Sequence, residues 1–206
     1  MPRIVRFNEV GGPEVLKIYD EPLQEPGEGE VRLKVEAMGL NRAEIMFRDG
    51  KYVADPIFPS RIGIEGSGTI DALGAGVSGF CIGDKVAAIP FLSWDKQNYW
   101  TAESVTRYGI YGESAVVPAY TVAPNPNNIS MIEAAAIWCE YLTAWGGIIS
   151  YAKLSRDDTA LVTAASSSAG LGGLQIANLS GATTIAVTRT AGKRQFLLDA
   201  GADHVV

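Results

Sequence analysis

Thr159-Ala-Leu-Val-Thr-Ala-Ala-Ser-Ser-Ser-Ala-Gly170 joins a short, largely apolar run to a turn made of small residues. Residues 159–163 have the length of a strand, and residues 169–179 predict a helix. Thr183-Thr-Ile-Ala-Val-Thr188 is a second strand-like run. Residues 191–200 predict a second helix, with Thr190 as N-cap and Gly201 as the residue that stops it. Asp203-His-Val-Val206 begins a third strand. The order β-α-β-α-β implies a parallel sheet with right-handed helical crossovers.

Upstream, the pattern changes. In residues 30–36, Val31, Leu33 and Val35 alternate with Arg32, Lys34 and Glu36, which predicts a half-buried antiparallel strand. Residues 4–7, 15–19, 68–72, 85–89 and 115–117 are further strand candidates, and 42–48 predicts one short helix. Many short strands separated by Gly/Pro turns suggest a small barrel or sandwich. Ser130 and Glu133 have capping-box spacing at the head of an alanine-rich helix. A second helical stretch, 140–151, carries Gly146-Gly147 as a weak point. The expected organisation is therefore α/β with a β-rich domain: residues 1–125, then a partial doubly wound domain over 126–206. Such a sheet has about six strands when complete. Only three are expected here, which leaves an open edge.

Composition narrows the function classes. The 206 residues carry 17 Lys plus Arg against 23 Asp plus Glu, a net charge of −6, with no basic stripe for nucleic acid. No apolar run reaches the ~18 residues of a membrane span. The N-terminal segment lacks the apolar core of a signal peptide. The two cysteines, Cys81 and Cys139, are far apart, as expected of a reduced, cytoplasmic protein. With His204 the only histidine, neither a zinc ligand set nor a histidine-dependent catalytic triad is expected, and no metal is assigned.

The turn after the first parallel strand holds the chemistry. A dinucleotide site needs a tight turn, close backbone approach to a pyrophosphate, and close helix–sheet packing. Aligned on its last glycine, the G-x-G-x-x-G pattern maps onto Ala165, Ser167 and Gly170. The N–H groups at the start of the following helix, at Ser168 and Ala169, point at an anion. Hydroxyls at Ser166, Ser167 and Ser168 add donors. A nucleotide site and a merely well-packed α/β turn both remain open on this pattern. The second strand ends in Val187-Thr188-Arg189-Thr190, with no acid between 183 and 192. An acid there holds the ribose hydroxyls of NAD, whereas Arg189, with Thr190 and Lys193, suits the 2′-phosphate of NADP. The alternative is a solvated basic first turn, which the helix dipole disfavours unless an anion is bound. The missing acid also argues against a methyltransferase.

These stretches lie in one order with Gly12-Pro-Glu-Val-Leu16, Gly39-Leu-Asn-Arg-Ala-Glu44, Arg48-Asp-Gly-Lys-Tyr52, Gly63-Ile-Glu-Gly-Ser-Gly68, Gly83-Asp-Lys-Val86 and Tyr141-Leu-Thr-Ala-Trp145. In that order the chain resembles the medium-chain dehydrogenase/reductase superfamily, in its zinc-independent, quinone-oxidoreductase-like branch, with its C-terminal part missing. The resemblance implies a GroES-like β-barrel followed by the first β-α-β-α-β part of a Rossmann sheet, with the active site between them. Asn41 and Ile64 stand where zinc-using relatives carry a cysteine and a histidine. The implied reaction is hydride transfer from NADPH to a quinone or α,β-unsaturated carbonyl. An enoyl-thioester reductase and a non-catalytic NADPH binder are the alternatives. By the same resemblance, Asn41 lies near the nicotinamide and the acceptor, Tyr52 hydrogen-bonds or protonates the developing oxyanion, and Thr143 contacts the nicotinamide. Their bland roles are turn residue, barrel packing and a backbone-bonded helix residue. Glu65 is expected to be structural. A complete chain is expected to form a homodimer. Residues 91–107, with Trp94, Tyr99 and Trp100, are expected to form a long loop over the acceptor site or the barrel.

Overall fold

The computed structural model describes residues 1–90 and 102–206. The chain folds as two compact units, Met1–Trp138 and Cys139–Val206. The first unit holds β1 (Arg3–Arg6), β2 (Lys17–Asp20), β3 (Glu30–Met38), α1 (Arg42–Arg48), β4 (Gly66–Leu73), β5 (Lys85–Ala88), α2 (Ala102–Arg107), β6 (Ser114–Pro118), β7 (Val122–Pro124) and α3 (Met131–Ala134). The second holds α4 (Trp138–Trp145), a π-helical segment (Gly146–Tyr151), β8 (Thr159–Val162), α5 (Ser168–Leu179), β9 (Thr183–Ala186), α6 (Arg194–Asp199) and β10 (His204–Val205).

In the first unit β1 and β2 form an antiparallel pair, and five strands form a curled antiparallel sheet in the order β6-β3-β4-β5-β7. The central strand β3 pairs with β4 on one side and β6 on the other. Its predicted apolar face is the core: Val31 and Leu33 are fully buried against Ile70, Val86, Ile110 and Val117, with Val35 packed beside them. Each such side chain contributes about 1.5–3 kcal/mol through removal from water. The opposite face departs from expectation at Arg32, which is also buried. Its guanidinium donates to Asp71 at 2.7 Å and to Glu25 at 3.0 Å, so the charge is paired under cover.

The short helix expected over 42–48 forms. Other boundaries shift for local reasons. Pro13–Val15 is a 3₁₀ turn, so the strand expected at 15–19 starts at Lys17. The capping box forms, with Glu133 accepting from the Ser130 N–H at 2.7 Å, but its helix stops after four residues. Gly146-Gly147 turns the helix from α to π rather than ending it, because no side chain there restrains the backbone. Residues 102–107, expected within a loop, are helical. The loop aromatics Trp94, Tyr99 and Trp100 lie outside the described residues.

In the second unit β8, β9 and β10 are parallel, in the order β10-β9-β8. The helix α5 packs on β8 and β9, and α6 packs on β10. Their shared core is Ala165, Leu174, Ala186, Leu197, Ala202 and Val205. The helix predicted over 191–200 splits into a 3₁₀ turn, Ala191–Lys193, and α6. Thr190 is its N-cap by backbone position, without a capping hydrogen bond from its side chain. Among the described residues no helix is long and apolar enough to cross a membrane.

Candidate functional site

The turn between β8 and α5 is built almost wholly from backbone constraints. Ala164 has φ +49°, in the left-handed region where a side chain is strained. Its carbonyl accepts from the Ser167 N–H at 2.9 Å and from the Ser167 hydroxyl at 2.8 Å. The Ser167 Oγ in turn accepts from the Gly170 N–H at 3.2 Å, which makes Ser167 the N-cap of α5. The helix therefore begins at Ser168, one residue before the expected start. Gly170 is buried in a space no side chain can share. A Cβ there would sit 2.5 Å from the Ala164 carbonyl oxygen and 2.8 Å from the Ala165 Cα. Ala165 is itself fully buried, so its part is to pack the turn against the sheet.

With the Gly170 N–H taken by Ser167, the first-turn amides of Ser168 and Ala169 are those for which the helix supplies no carbonyl. They stand where the helix dipole favours a negative charge. Beside them is a cavity of about 470 Å³, lined by Ala164, Ser166, Ser167, Val187, Thr188, Arg189, Thr190 and Lys193. Six of the residues singled out in the sequence thus line one space. None of the eight is acidic, and two are cationic. The Lys193 ammonium donates to the Ser166 hydroxyl at 2.8 Å, across the mouth formed by the two turns. Arg194, the residue after Lys193, points elsewhere: its guanidinium donates to the Val205 carbonyl at 2.6 Å. The donor set, the close-packed glycine and the lack of a carboxylate fit a phosphorylated dinucleotide.

Thr143 lies on α4, exposed, with its hydroxyl donating to the Cys139 carbonyl at 2.7 Å. That bond leaves the oxygen's lone pairs available to accept.

The other predicted residues belong to the first unit. Asn41 is the N-cap of α1 and lines a cavity of about 330 Å³ with Leu16, Leu40, Ile45, Ile62 and Tyr111. Tyr52 does not line it. Tyr52 packs beside the cluster of Phe7, Phe47 and Ile62, near Ala43, Gly63 and Ile64. Two buried carboxylates flank Asn41. Glu44 accepts from the Asn41 N–H at 2.7 Å, from the Ile64 N–H at 2.9 Å and from the Tyr111 hydroxyl. Glu65 accepts from Asn41 Nδ2 at 3.1 Å. Burial holds the Glu44 carboxyl above the usual carboxylate range despite those donors. Burial and the adjacent Glu44 charge raise Tyr111 strongly. Glu44 and Tyr111 were missed in the sequence, where nothing local links residues 67 positions apart.

The alcohol dehydrogenase GroES-like domain matches residues 27–127. The quinone oxidoreductase of Homo sapiens is 32% identical over 204 residues, which are 98% of this chain and 57% of that protein. The chain belongs to the medium-chain dehydrogenase/reductase superfamily. Within it, the solved structure of an NAD-dependent alcohol dehydrogenase is similar at a TM-score of 0.89 and 36% identity, over 99% of this chain and 63% of that one. The Escherichia coli quinone oxidoreductase, solved in complex with NADPH, is similar at a TM-score of 0.82 and 28% identity, over 99% of this chain and 58% of that one. The chain thus spans a little over half the length of the quinone oxidoreductases it matches. The β-α-β-α-β unit expected of a Rossmann sheet and the curled antiparallel sheet are the two parts this superfamily member presents.

Proposed function

We propose that this chain is the cofactor-binding part of an NADPH-dependent oxidoreductase that reduces quinones or α,β-unsaturated carbonyls. The observation that carries the reading is the acid-free pocket at the end of β9, where Arg189, Thr190, Lys193 and Ser166 converge. A guanidinium and an ammonium beside hydroxyls bind a 2′-phosphate, whereas the paired ribose hydroxyls of NADH call for a carboxylate acceptor. The reading gives this chain the cofactor of the NADPH-complexed Escherichia coli quinone oxidoreductase rather than that of the NAD-dependent alcohol dehydrogenase, to both of which it is similar.

When bound, NADPH supplies a hydride from its dihydronicotinamide ring to an electrophilic acceptor. The chain's own residues hold and orient the cofactor. Ser168 and Ala169 donate their amides to the pyrophosphate. Arg189 and Lys193 neutralise the 2′-phosphate, with Thr188, Thr190 and Ser166 donating hydroxyls. Ala165 and Gly170 let the backbone approach, and the Ser167 cap keeps the first turn of α5 formed. The Thr143 hydroxyl accepts from the nicotinamide carboxamide. Asn41 meets the reacting end of the ligands, and the Tyr52 hydroxyl donates to the oxyanion that forms on the acceptor. Neither Asn41 nor Ile64 supplies a zinc ligand at the positions where zinc-using relatives hold one, so the reaction proceeds on acceptors that need no Lewis acid. Complete chains pair as homodimers in the cytoplasm, with Cys81 and Cys139 reduced.

Cofactor fluorescence titration with NADPH and NADH tests the reading. About tenfold or greater preference for NADPH is expected from one charge-assisted contact, followed by its oxidation with 1,4-naphthoquinone or an enone. Equal affinities would overturn the phosphate assignment. Oxidation only by an enoyl thioester would move the acceptor to that class. Tight NADPH binding without turnover would make the chain a binder.

A further inference from the structure

Asn41 is held at both of its ends by buried carboxylates from different parts of the fold. Its backbone N–H is fixed by Glu44, three residues on, which is the local geometry of a helix start. Its side chain is fixed by Glu65, 24 residues away, just before β4. Glu65 is only 2% exposed. It sits under the chain at Gly39, where a Cβ would come within 2.6 Å of Glu65 Oε2 and collide with the Ala135 carbonyl oxygen. The Gly39 N–H also donates to the Glu65 carbonyl at 3.1 Å. The carboxylate is therefore locked in place by a glycine that cannot be enlarged.

A carboxamide has one accepting end and one donating end. A carboxylate can only accept, so the end of Asn41 that faces Glu65 must be the NH₂ group. The oxygen is then the other end. It faces the Glu44 N–H in the capping box that opens α1. The Glu44 N–H there donates to the Asn41 backbone carbonyl at 3.2 Å. A carbonyl oxygen has two lone pairs, so it keeps capacity for a ligand even with that amide nearby. We propose that Glu65 is a positioning residue that sets the polarity of Asn41, so that Asn41 meets its ligand as a hydrogen-bond acceptor. The group it recognises is a donor: an amide N–H of the bound cofactor, or the hydroxyl of a reduced acceptor. This rests on the oxidoreductase reading above and sharpens it. Stabilising an oxyanion falls to another donor, because an oxyanion facing the Asn41 oxygen would be repelled.

Two arms test it. In ¹⁵N-labelled protein the side-chain amide pair of Asn41 is assigned by its loss in Asn41→Asp. Its proton resonances should move upfield in Glu65→Gln, as a bond to a charged acceptor becomes a bond to a neutral one. An unmoved pair overturns the proposal. In the second arm, NADPH oxidation with 1,4-naphthoquinone is compared across single and double variants. Asn41→Asp sets two carboxylates face to face and should lower kcat/KM by about tenfold or more. Adding Glu65→Gln restores a donor to the inner oxygen while the outer one still accepts, and should recover roughly threefold or more. A purely structural Glu65 predicts losses that accumulate, and no recovery overturns the proposal. If the parent protein fails to oxidise NADPH, the functional reading fails, and the amide resonances alone decide the role of Glu65.

Discussion

The Lys193 ammonium and the Ser166 hydroxyl lie 2.8 Å apart, 27 residues distant in the chain. Their bond joins the turn after β8 to the turn after β9, the two places where a dinucleotide would be gripped. It leaves the Lys193 charge at the pocket, and Arg189 lines the same space.

Arg189→Ala should therefore weaken NADPH binding and leave NADH binding nearly unchanged. A charge-assisted hydrogen bond is worth about 1.5–3 kcal/mol, roughly ten- to a hundredfold in Kd. Lys193→Ala should act in the same direction, and both effects should shrink as salt is raised. Cofactor fluorescence titrations at two ionic strengths check this. Equal losses for both cofactors would point to damage of the turn rather than loss of a phosphate contact.

Gly170→Ala should disrupt the same site without touching a charge. The added methyl meets backbone atoms at 2.5 and 2.8 Å, and those cannot swing aside as a side chain can. Overpacking of this kind costs about 1–3 kcal/mol. A lower melting temperature together with lost NADPH binding is the expected outcome. A normal melt with normal binding would show that the turn relaxes freely.

Ala164→Gly should do the reverse. Ala164 holds φ +49°, where a Cβ costs roughly 1–2 kcal/mol. Glycine removes that strain but brings about 0.4–1 kcal/mol of extra unfolded-state entropy. The expected net gain runs from near zero to about 1.6 kcal/mol, read as a higher denaturation midpoint. Ala164→Val should lower it.

Glu44 predicts a pH dependence of definite sign. Burial raises its folded-state pKa above the ordinary 4.5. The folded state therefore binds the proton more tightly than the unfolded chain does. That stabilisation is complete below about pH 4.5 and is lost as pH rises through the raised value. Compared with Glu44→Gln, the parent should lose stability steadily over that interval, measured by urea unfolding at a series of pH values. Parallel curves would remove Glu44 as the source.

The capping box at Ser130 and the helix–turn chemistry were legible because they are local. Ser130 and Glu133 bond each other across three residues. The run from Thr159 to Gly170 reads as strand, turn and helix start because its small residues serve the same short-range geometry. The alternation of Val31, Leu33 and Val35 named the core face of β3 for the same reason.

Local patterns could not show which polar groups end up buried together. Arg32 reads as a solvent-facing residue, yet the return of 24–25 and Asp71 over it makes it interior. Glu44, Tyr111, Glu65 and Asn41 come from three separated stretches, and their hydrogen bonds exist only once the sheet has closed. Arg189 and Arg194 look equivalent in the chain, but the path of β10 gives Arg194 the Val205 carbonyl and leaves Arg189 at the cavity. Period and turn chemistry act over a few residues, so the amino-acid order already contained the elements and their inward faces. Hydrogen bonds between remote groups depend on where the elements come to rest, so the partners of the buried charges were decided by tertiary packing.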